Sequence, residues 1–233
     1  MPQDEMYYVD KFFPTKNDRP LVTVDIVVFT INDNDLKILL IKRGHPPFKE
    51  QWALPGGFVR KEESLEDAAK RRLLEETGVS DVYLEQLYTF GDPKRDPRGR
   101  VITVVYFALI KSDNIKLSTT VDVPESDWFS AYKMPKLAFD HEEIAKYAMQ
   151  RLKWKMGYTT VAFSLLPKKF TLTQLQKIYE TAFNQKFDKR NFRKKIISLD
   201  LIEPTKEIMQ NVSHRPAKLY SFKKKIGEIV EIF

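Results

Sequence analysis

The chain has 233 residues, of which 42% are hydrophobic and 30% charged, and it contains no cysteine. This composition is typical of a globular protein and excludes disulfides, thiol nucleophiles and zinc fingers. No run approaches the roughly 18 apolar residues of a membrane helix. The first residues, MPQDEMYY, lack the basic start and apolar core of a secretory signal. We therefore expect a cytoplasmic protein without a membrane partner.

The charge is unevenly distributed along the chain. Residues 1–155 carry 24 Lys and Arg against 25 Asp and Glu, whereas residues 156–233 carry 15 against 7, a net charge of +8. This asymmetry predicts two domains with different partners, divided between residues 155 and 156. The basic domain suits a polyanion, although a solvated lysine-rich surface would give the same counts.

The first domain is predicted to mix strands and helices. Residues 22–31 and 36–42 are β-branched and aliphatic, and the polar turn between them predicts a hairpin. Residues 64–77 predict a capped helix that ends at Gly78. Further strands are predicted at residues 82–91, 100–111 and 126–129, and a further helix at residues 141–155. Helices packed on a mixed sheet give an α/β fold, and residues 157–166 are predicted to lead out of it in an extended conformation.

The second domain has the element order of a winged helix-turn-helix. A Thr-Leu-Thr-Gln capping box predicts a helix over residues 171–182, and Asp188 caps a second helix that ends near Leu199. Residues 201–205 and 219–223 predict two short strands around a polar, basic tip. Two helices joined by a short turn and followed by a β-hairpin form an α+β winged domain.

The segment from Gly57 to Val79 carries a motif with several fixed positions. Five residues separate Gly57 from Glu63, seven more precede Arg71, and the chain then reads Arg-Arg-Leu-Leu-Glu-Glu-Thr-Gly-Val. This pattern resembles the Nudix box, G-x5-E-x7-R-E-U-x-E-E-x-G-U, at every fixed position except one. The exception is Arg72, which stands where the family has a glutamate. The resemblance implies the Nudix fold, a mixed sheet sandwiched by helices.

Arg72 changes the chemistry that is expected of the box helix. In the Nudix family, acidic side chains on one helix face hold the divalent cations that neutralise a pyrophosphate and activate water. A guanidinium on this face removes a ligand, adds a permanent charge and can pair with Glu76. We therefore expect weak metal binding and little hydrolysis. Glu75 and Glu76 remain candidate catalytic residues and metal ligands, or simply solvated helix charges, and Glu63 should form an ion pair with Arg71 that shapes the site.

Residues around the box suggest an effector site. The segment of residues 52–57 and the charged loop of residues 92–100 resemble the branch of the family that is similar to ADP-ribose pyrophosphatases. Guanidinium groups match phosphate oxygens, and Phe48 or Trp52 could stack on a base. The candidate effector contacts are Arg43, Phe48, Trp52, Gly56, Gly57, Arg95, Arg98 and Arg100. His45 and His141 are further metal or catalytic candidates, and His141, at a helix start, is expected to be structural.

The second helix of the winged domain carries the candidate DNA contacts. Its apolar residues share one face, so Arg190 and Lys194 fall opposite that face, with Asn191 and Arg193 on the flanks. In a major groove, arginine reads guanine and asparagine reads adenine. The candidate set also contains Thr171 and Thr173 before this helix, Lys189 at its start, and His214 and Arg215 at the wing tip.

The combination of both domains is more specific than either one alone. A degenerate Nudix box followed by the segments 165–176, 188–195 and 215–220 resembles the Nudix-related transcriptional regulators of NAD metabolism and their sugar-responsive relatives, such as arabinose regulators. The resemblance implies a homodimer that binds operator DNA without a cofactor. It also implies a Nudix domain that senses ADP-ribose or a related nucleotide or sugar. The alternative is a Mg²⁺-dependent hydrolase similar to ADP-ribose pyrophosphatase, with an accessory basic domain. Arg72 and the basic helix favour the regulator.

Overall fold

The computed structural model of the chain describes residues 19–80, 82–111, 117, 122–209 and 216–232. Its larger part is built on a seven-stranded mixed sheet, in which β1 and β6 are parallel and the other pairs are antiparallel. The strands are β1 (Leu21–Asn32), β2 (Asp35–Lys42), β3 (Trp52–Ala53), β4 (Gly56–Phe58), β5 (Tyr83–Phe90), β6 (Val101–Leu109) and β7 (Glu125–Ser130). The predicted hairpin is the β1–β2 pair, and the short strands β3 and β4 flank a turn that local sequence shows only as a loop.

Helices cover both faces of this sheet. The first helix, α1 (Leu65–Thr77), packs on one face, and α2 (His141–Tyr158) packs on the other. Because successive side chains of a strand point to opposite faces, Ile26 contacts the α1 side and Val27 the α2 side, and both are fully buried. Two buried faces explain why β1 is a nearly continuous apolar run instead of an alternating one.

The start and end of α1 follow the predicted capping residues. The Ser64 hydroxyl accepts a hydrogen bond from the backbone N–H of Asp67 at 3.1 Å. At the other end, Gly78 has a φ of 75°, and its N–H donates to the carbonyl oxygen of Leu74 at 2.9 Å. A residue with a side chain would be strained in this left-handed conformation, so glycine ends the helix here.

The helix and the segment that connect the two domains differ from the predicted secondary structure. Helix α2 continues through Tyr158, so the predicted boundary between residues 155 and 156 lies inside it. Residues Thr160–Leu165 form a 3-10 helix, and the prediction of an extended segment over residues 157–166 is wrong. A short apolar run does not distinguish a buried strand from a buried helical turn, and residues 161–163 are fully buried on all sides.

The winged part contains two helices and a two-stranded sheet in the predicted order. These elements are α3 (Leu172–Phe183), α4 (Lys189–Ser198), β8 (Ile202–Ile208) and β9 (Lys218–Phe222). Both hydrogen bonds of the capping box between Thr171 and Gln174 are present, and Asp188 caps α4 by accepting from the N–H of Asn191 at 2.8 Å. Across the described part of the chain, the helices are too short or too polar to cross a membrane.

The two parts of the molecule share one apolar core. Val27 of β1, Tyr179 of α3 and Phe192 of α4 belong to the same buried cluster. The hydroxyl of Tyr132, which follows β7, donates to the carbonyl oxygens of Thr181 and Ala182 at 3.1 and 2.9 Å. The last turn of α3 is therefore attached to the sheet by both apolar packing and hydrogen bonds.

Candidate functional site

A cleft of about 240 Å³ opens beside the loop that follows β5, between β1, the turn that joins β3 and β4, and the start of α2. We call it the box cleft. Its polar and aromatic lining includes Asp25, Arg43, His45, Phe58, Arg72, Glu76, Arg95, Asp96, Arg98, Asp122, Phe139 and His141. Five of the predicted effector contacts lie together here, namely Arg43, Gly56, Gly57, Arg95 and Arg98.

The other three predicted effector contacts do not line the box cleft. The ring of Phe48 packs edge-on against the cleft residue Phe139 at a centroid distance of 4.8 Å. The indole of Trp52 packs edge-on against Phe129 at 4.6 Å and is part of the sheet's packing. Arg100 donates to a backbone carbonyl oxygen at 2.6 Å on the protein surface. Phe58 and Phe139 supply the aromatic surface of the cleft instead.

Arg95 is buried at the base of the box cleft. Its guanidinium donates to the two carboxylate oxygens of Asp140 at 2.8 and 2.7 Å and to Asp25 at 3.5 Å. A bidentate pair of this kind orients both partners and joins the loop after β5 to the start of α2. Sequence analysis did not select Asp25 or Asp140. The available signal for Asp25 was a single carboxylate inside the buried apolar run of β1.

Arg43 and Arg98 both lie close to the ring of Phe139 in the lining of the cleft. Arg98 forms a bidentate pair with Asp96 at 3.0 and 2.6 Å, and its guanidinium lies 5.1 Å from the ring centre of Phe58 and 5.5 Å from that of Phe139. Arg43 lies 4.8 Å from the same Phe139 ring. Burial and the neighbouring charge of Arg98 lower the pKa of Arg43. Aromatic rings with guanidinium groups close to them form a surface that suits planar or anionic groups.

Three arginines, two of them on the box helix, surround Glu75 of that helix. Arg71 donates to Glu63 at 2.8 Å, which is the predicted ion pair, and this hydrogen bonding holds the pKa of Glu63 at about 2. Arg71 also donates to Glu75 at 3.0 Å, and Arg60 lies 3.5 Å from the same carboxylate. Arg72 approaches it to 3.7 Å. Glu75 is therefore surrounded by positive charge.

Glu76 has a different partner. One carboxylate oxygen accepts the backbone N–H of Gly56 at 2.8 Å, which attaches α1 to β4. The side chain is only 12% exposed, and this burial raises the pKa of Glu76 to about 7, although the Gly56 N–H and Arg72 act in the opposite direction. The predicted pair between Arg72 and Glu76 is long, with 3.9 Å between the nitrogen and the oxygen.

These carboxylates do not fit a divalent cation site. Mg²⁺ requires several oxygen ligands in near-octahedral geometry at about 2.0–2.1 Å. Glu75 faces three arginines, Glu76 is committed to a backbone N–H, and the guanidinium of Arg72 lies beside both. Within the described ranges, no three His, Asp or Glu side chains converge in a way that could hold a metal ion.

The two histidines of the cleft are held by the protein itself. Nδ1 of His141 accepts the backbone N–H of Leu54 at 2.9 Å, and Nε2 lies 3.8 Å from Asp25. Burial lowers the pKa of His141, which favours the neutral ring and fits the expected structural role. His45 lies at the rim, where Nε2 is 2.6 Å from Asp122.

Helix α4 presents a second candidate site. We use the term α4 basic face for Lys189, Arg190, Asn191 and Lys194, whose side chains are exposed. The three cations of this face form no ion pair with any described residue. Arg193 is half-buried on the flank of this face and donates to the hydroxyl of Thr173 at 3.0 Å, which joins α4 to α3.

The remaining predicted DNA contacts lie elsewhere. Thr171 is only 4% exposed and both donates to and accepts from Gln174, so its hydroxyl serves the helix cap and has little surface for a phosphate. Thr173 is exposed beside Arg193. His214 and Arg215 lie outside the described residues, between β8 and β9.

Comparisons with known proteins agree with this two-part arrangement. A NUDIX domain model matches residues 21–152, and a model of the NrtR DNA-binding winged helix domain matches residues 162–222. The ADPR-responsive transcriptional repressor NtrR of Acinetobacter baylyi is 39% identical over 94% of this chain and 88% of its own length. The chain belongs to the NrtR family of Nudix proteins. The predicted family and the predicted fold, an α/β Nudix domain followed by a winged helix-turn-helix, are thus confirmed.

Solved NrtR structures are similar to the chain as well. Shewanella oneidensis NrtR in complex with a 27mer DNA matches with a TM-score of 0.75 and 36% identity, over 87% of this chain and 93% of that one. The NUDIX domain of the same protein, in complex with ADP-ribose, matches with a TM-score of 0.56 and 39% identity, over 65% of this chain and 99% of that one. NrtR from Shewanella thus combines the two ligand classes that sequence analysis predicted.

Proposed function

We propose that the chain is a cytoplasmic transcriptional repressor whose operator affinity is controlled by ADP-ribose bound in the box cleft. The observation that carries this proposal is the continuous core between an arginine-lined cleft and the α4 basic face. A small anionic ligand and a polyanion thus have separate sites on one packed body. The related NrtR proteins, which have been solved with DNA and with ADP-ribose, support the same pairing.

The box cleft suits a dinucleotide-like ligand that is bound but not cleaved. Phe139 and the guanidinium groups of Arg43 and Arg98 provide aromatic and hydrogen-bonding surface in the cleft lining. Hydrolysis of a diphosphate would need carboxylates free to hold divalent cations. Glu75 and Glu76 are instead occupied by arginines and a backbone N–H. We infer that the cleft is a sensor site.

The α4 basic face suits a major groove. Arg190 and Lys194 lie one turn apart on the solvent side, and Phe192 and Ile196 hold the opposite side in the core. Arginine can donate two hydrogen bonds to guanine, and lysine can contact phosphate. A homodimer would place two such helices about 34–36 Å apart, which matches successive major grooves.

Ligand control requires that ADP-ribose bind the DNA-competent and DNA-incompetent states with different affinities. Helix α2 is the connection on which this proposal depends. It begins at the cleft with His141 and ends beside the winged part at Tyr158. A small rotation of α2 would change the spacing of the two α4 helices in a dimer and spoil the match to the operator.

The test is a reciprocal titration with an operator duplex that the protein itself selects from random duplexes. Operator affinity is measured with and without saturating ADP-ribose, and ADP-ribose affinity with and without operator. Linkage requires one common factor, typically 5–150-fold. NAD and pentoses serve as ligand controls, since a sugar effector would produce the same linkage with a different molecule. Tight binding of ADP-ribose that changes neither operator affinity nor its own affinity on DNA would reduce the Nudix part to a scaffold.

A further inference from the structure

Arg72 differs from the other arginines of the box cleft in its lack of close partners. Its Nε is buried without a hydrogen-bond partner among residues that the structure describes. Its Nη1 lies 3.7 Å from Glu75 and 3.9 Å from Glu76, and both distances exceed hydrogen-bond length. A buried, unsatisfied donor destabilises the folded protein by about 1–3 kcal/mol, or more when it is charged. A ligand that supplied a hydrogen-bond acceptor to Arg72 would remove this cost.

The neighbouring cations have already found acceptors. Arg95 and Arg98 each hold a carboxylate through two hydrogen bonds, and Arg43 donates to the carbonyl oxygen of Pro47 at 2.9 Å. Arg71, next to Arg72 in the chain, holds Glu63 and Glu75. An anionic ligand in the cleft would therefore find the least satisfied donors on Arg72.

The backbone leaves space for this guanidinium. A Cβ added to Gly57 would lie 2.5 Å from Nε and 2.6 Å from Cζ of Arg72. No side chain fits at position 57 unless Arg72 moves away. Gly57, the first glycine of the box motif, thus lets the guanidinium lie close to the backbone in the cleft lining, beside the carboxylates that the box motif uses for cations in the wider Nudix family.

We propose that Arg72 is itself the cation that receives the diphosphate, so that this chain binds ADP-ribose without a divalent metal ion. The inference rests on the proposed function and adds the means by which the phosphate charge is neutralised. A guanidinium supplies a permanent positive charge and a planar pair of N–H donors that match two phosphate oxygens. It takes the electrostatic role of the cation, but it provides no water-activating metal.

Calorimetric titration of the full chain with ADP-ribose tests this, in excess EDTA and in excess MgCl₂. We expect the wild-type dissociation constant to agree within about twofold between the two buffers. Arg72→Gln should bind about 10–100-fold more weakly in both, as expected for loss of hydrogen bonds to a charged group. Arg72→Glu should bind weakly in EDTA and recover at least about tenfold in MgCl₂, because it restores a metal-binding carboxylate.

The matched control is Lys70→Gln, which removes a positive charge from the solvent side of the same helix, where Lys70 pairs with Glu66. It should bind ADP-ribose as the wild type does. Thermal unfolding without ligand identifies a variant that fails to fold. If Arg72→Glu does not fold, Arg72→Gln and Arg72→Lys test the role of Arg72 in its place, since lysine keeps the charge but loses the planar pair of donors.

Two results would overturn the inference and leave the proposed function intact. One is wild-type binding that EDTA abolishes, and the other is unchanged binding by Arg72→Gln in EDTA. A wild-type protein that binds no ADP-ribose in either buffer would overturn the proposed function, and this inference with it.

Discussion

The box cleft and the α4 basic face are both rich in cations, but they use them in opposite ways. In the cleft, Arg95 and Arg98 are held in bidentate pairs by carboxylates of the protein. On α4, Arg190 and Lys194 have no such pairs with any described residue. Paired cations keep a fixed geometry and present little net charge, which suits selection of a small ligand by shape. Unpaired cations attract a polyanion over a distance, and salt weakens that attraction.

The largest expected effect comes from breaking a cleft pair. Arg95→Gln leaves Asp25 and Asp140 buried without their cation, and breaking a buried pair in this way costs about 3–5 kcal/mol. Urea unfolding, monitored by circular dichroism, measures the loss of unfolding free energy. Lys70→Gln, which breaks an exposed pair with Glu66, is the control and should leave the unfolding free energy nearly unchanged. Equal stability of Arg95→Gln and wild type would show that the pair has no structural role.

The next effect concerns the unpaired cations of α4. Arg190→Ala combined with Lys194→Ala should weaken operator binding by about 2–4 kcal/mol. The slope of log affinity against log salt concentration should fall by about two, since about one unit of slope is lost per phosphate contact. ADP-ribose binding should stay unchanged. Fluorescence anisotropy at several salt concentrations checks this. Lys70→Ala with Lys146→Ala removes the same charge from exposed sites on the Nudix part. Equal losses in both double variants would mean that net charge, and not the α4 basic face, determines binding.

The third prediction concerns the cleft and the pH dependence of stability that Glu76 causes. The pKa of Glu76 is about 7 in the folded protein, against an ordinary value of 4.5. Between these pH values the folded protein keeps a proton that the unfolded chain loses. This contribution to stability is therefore complete below pH 4.5 and falls by about 3 kcal/mol as the pH rises through 7. Glu76→Gln cannot ionise and should gain stability relative to wild type over this window.

Urea titrations of both proteins in EDTA, at pH values below and above the window, measure this difference. Effects of other titrating groups cancel when the variant is compared with the wild type at the same pH. A difference in unfolding free energy that stays constant with pH would mean that Glu76 titrates normally.

The smallest effect tests the connection between the two regions. Tyr132→Phe removes the hydroxyl that donates to the carbonyl oxygens of Thr181 and Ala182. Loss of such hydrogen bonds should cost about 1 kcal/mol of unfolding free energy and reduce the effect of ADP-ribose on operator affinity. Tyr88→Phe, at a tyrosine that is 54% exposed, is the matched control. A full ADP-ribose response in Tyr132→Phe would exclude this contact from the coupling.

Local patterns predicted the caps, the box helix and the order of the winged elements, because those features depend on neighbours in the chain. Features that depend on distant pairing were missed. The strands β3 and β4 have two and three residues and exist through pairing with β2 and β1. Arg95 was selected as an effector contact, but its carboxylate partners lie 70 and 45 residues away along the chain. Trp52 and Arg100 have suitable chemistry but lie outside the cleft, a distinction that requires the fold.

The shared core has a consequence for genetics. Helix α3 packs on β1 and β2 through residues such as Leu175 and Tyr179, so α4 is held in place partly by the Nudix sheet. Under the proposed repressor function, substitutions that loosen the sheet should therefore release target genes without altering any residue that touches DNA or ligand. A screen for constitutive expression should collect such alleles across the codons of the sheet, from residue 21 to residue 130. These alleles should show the phenotype of permanent induction. Recovery of repression at a lower growth temperature should distinguish them from alleles that alter the basic helix.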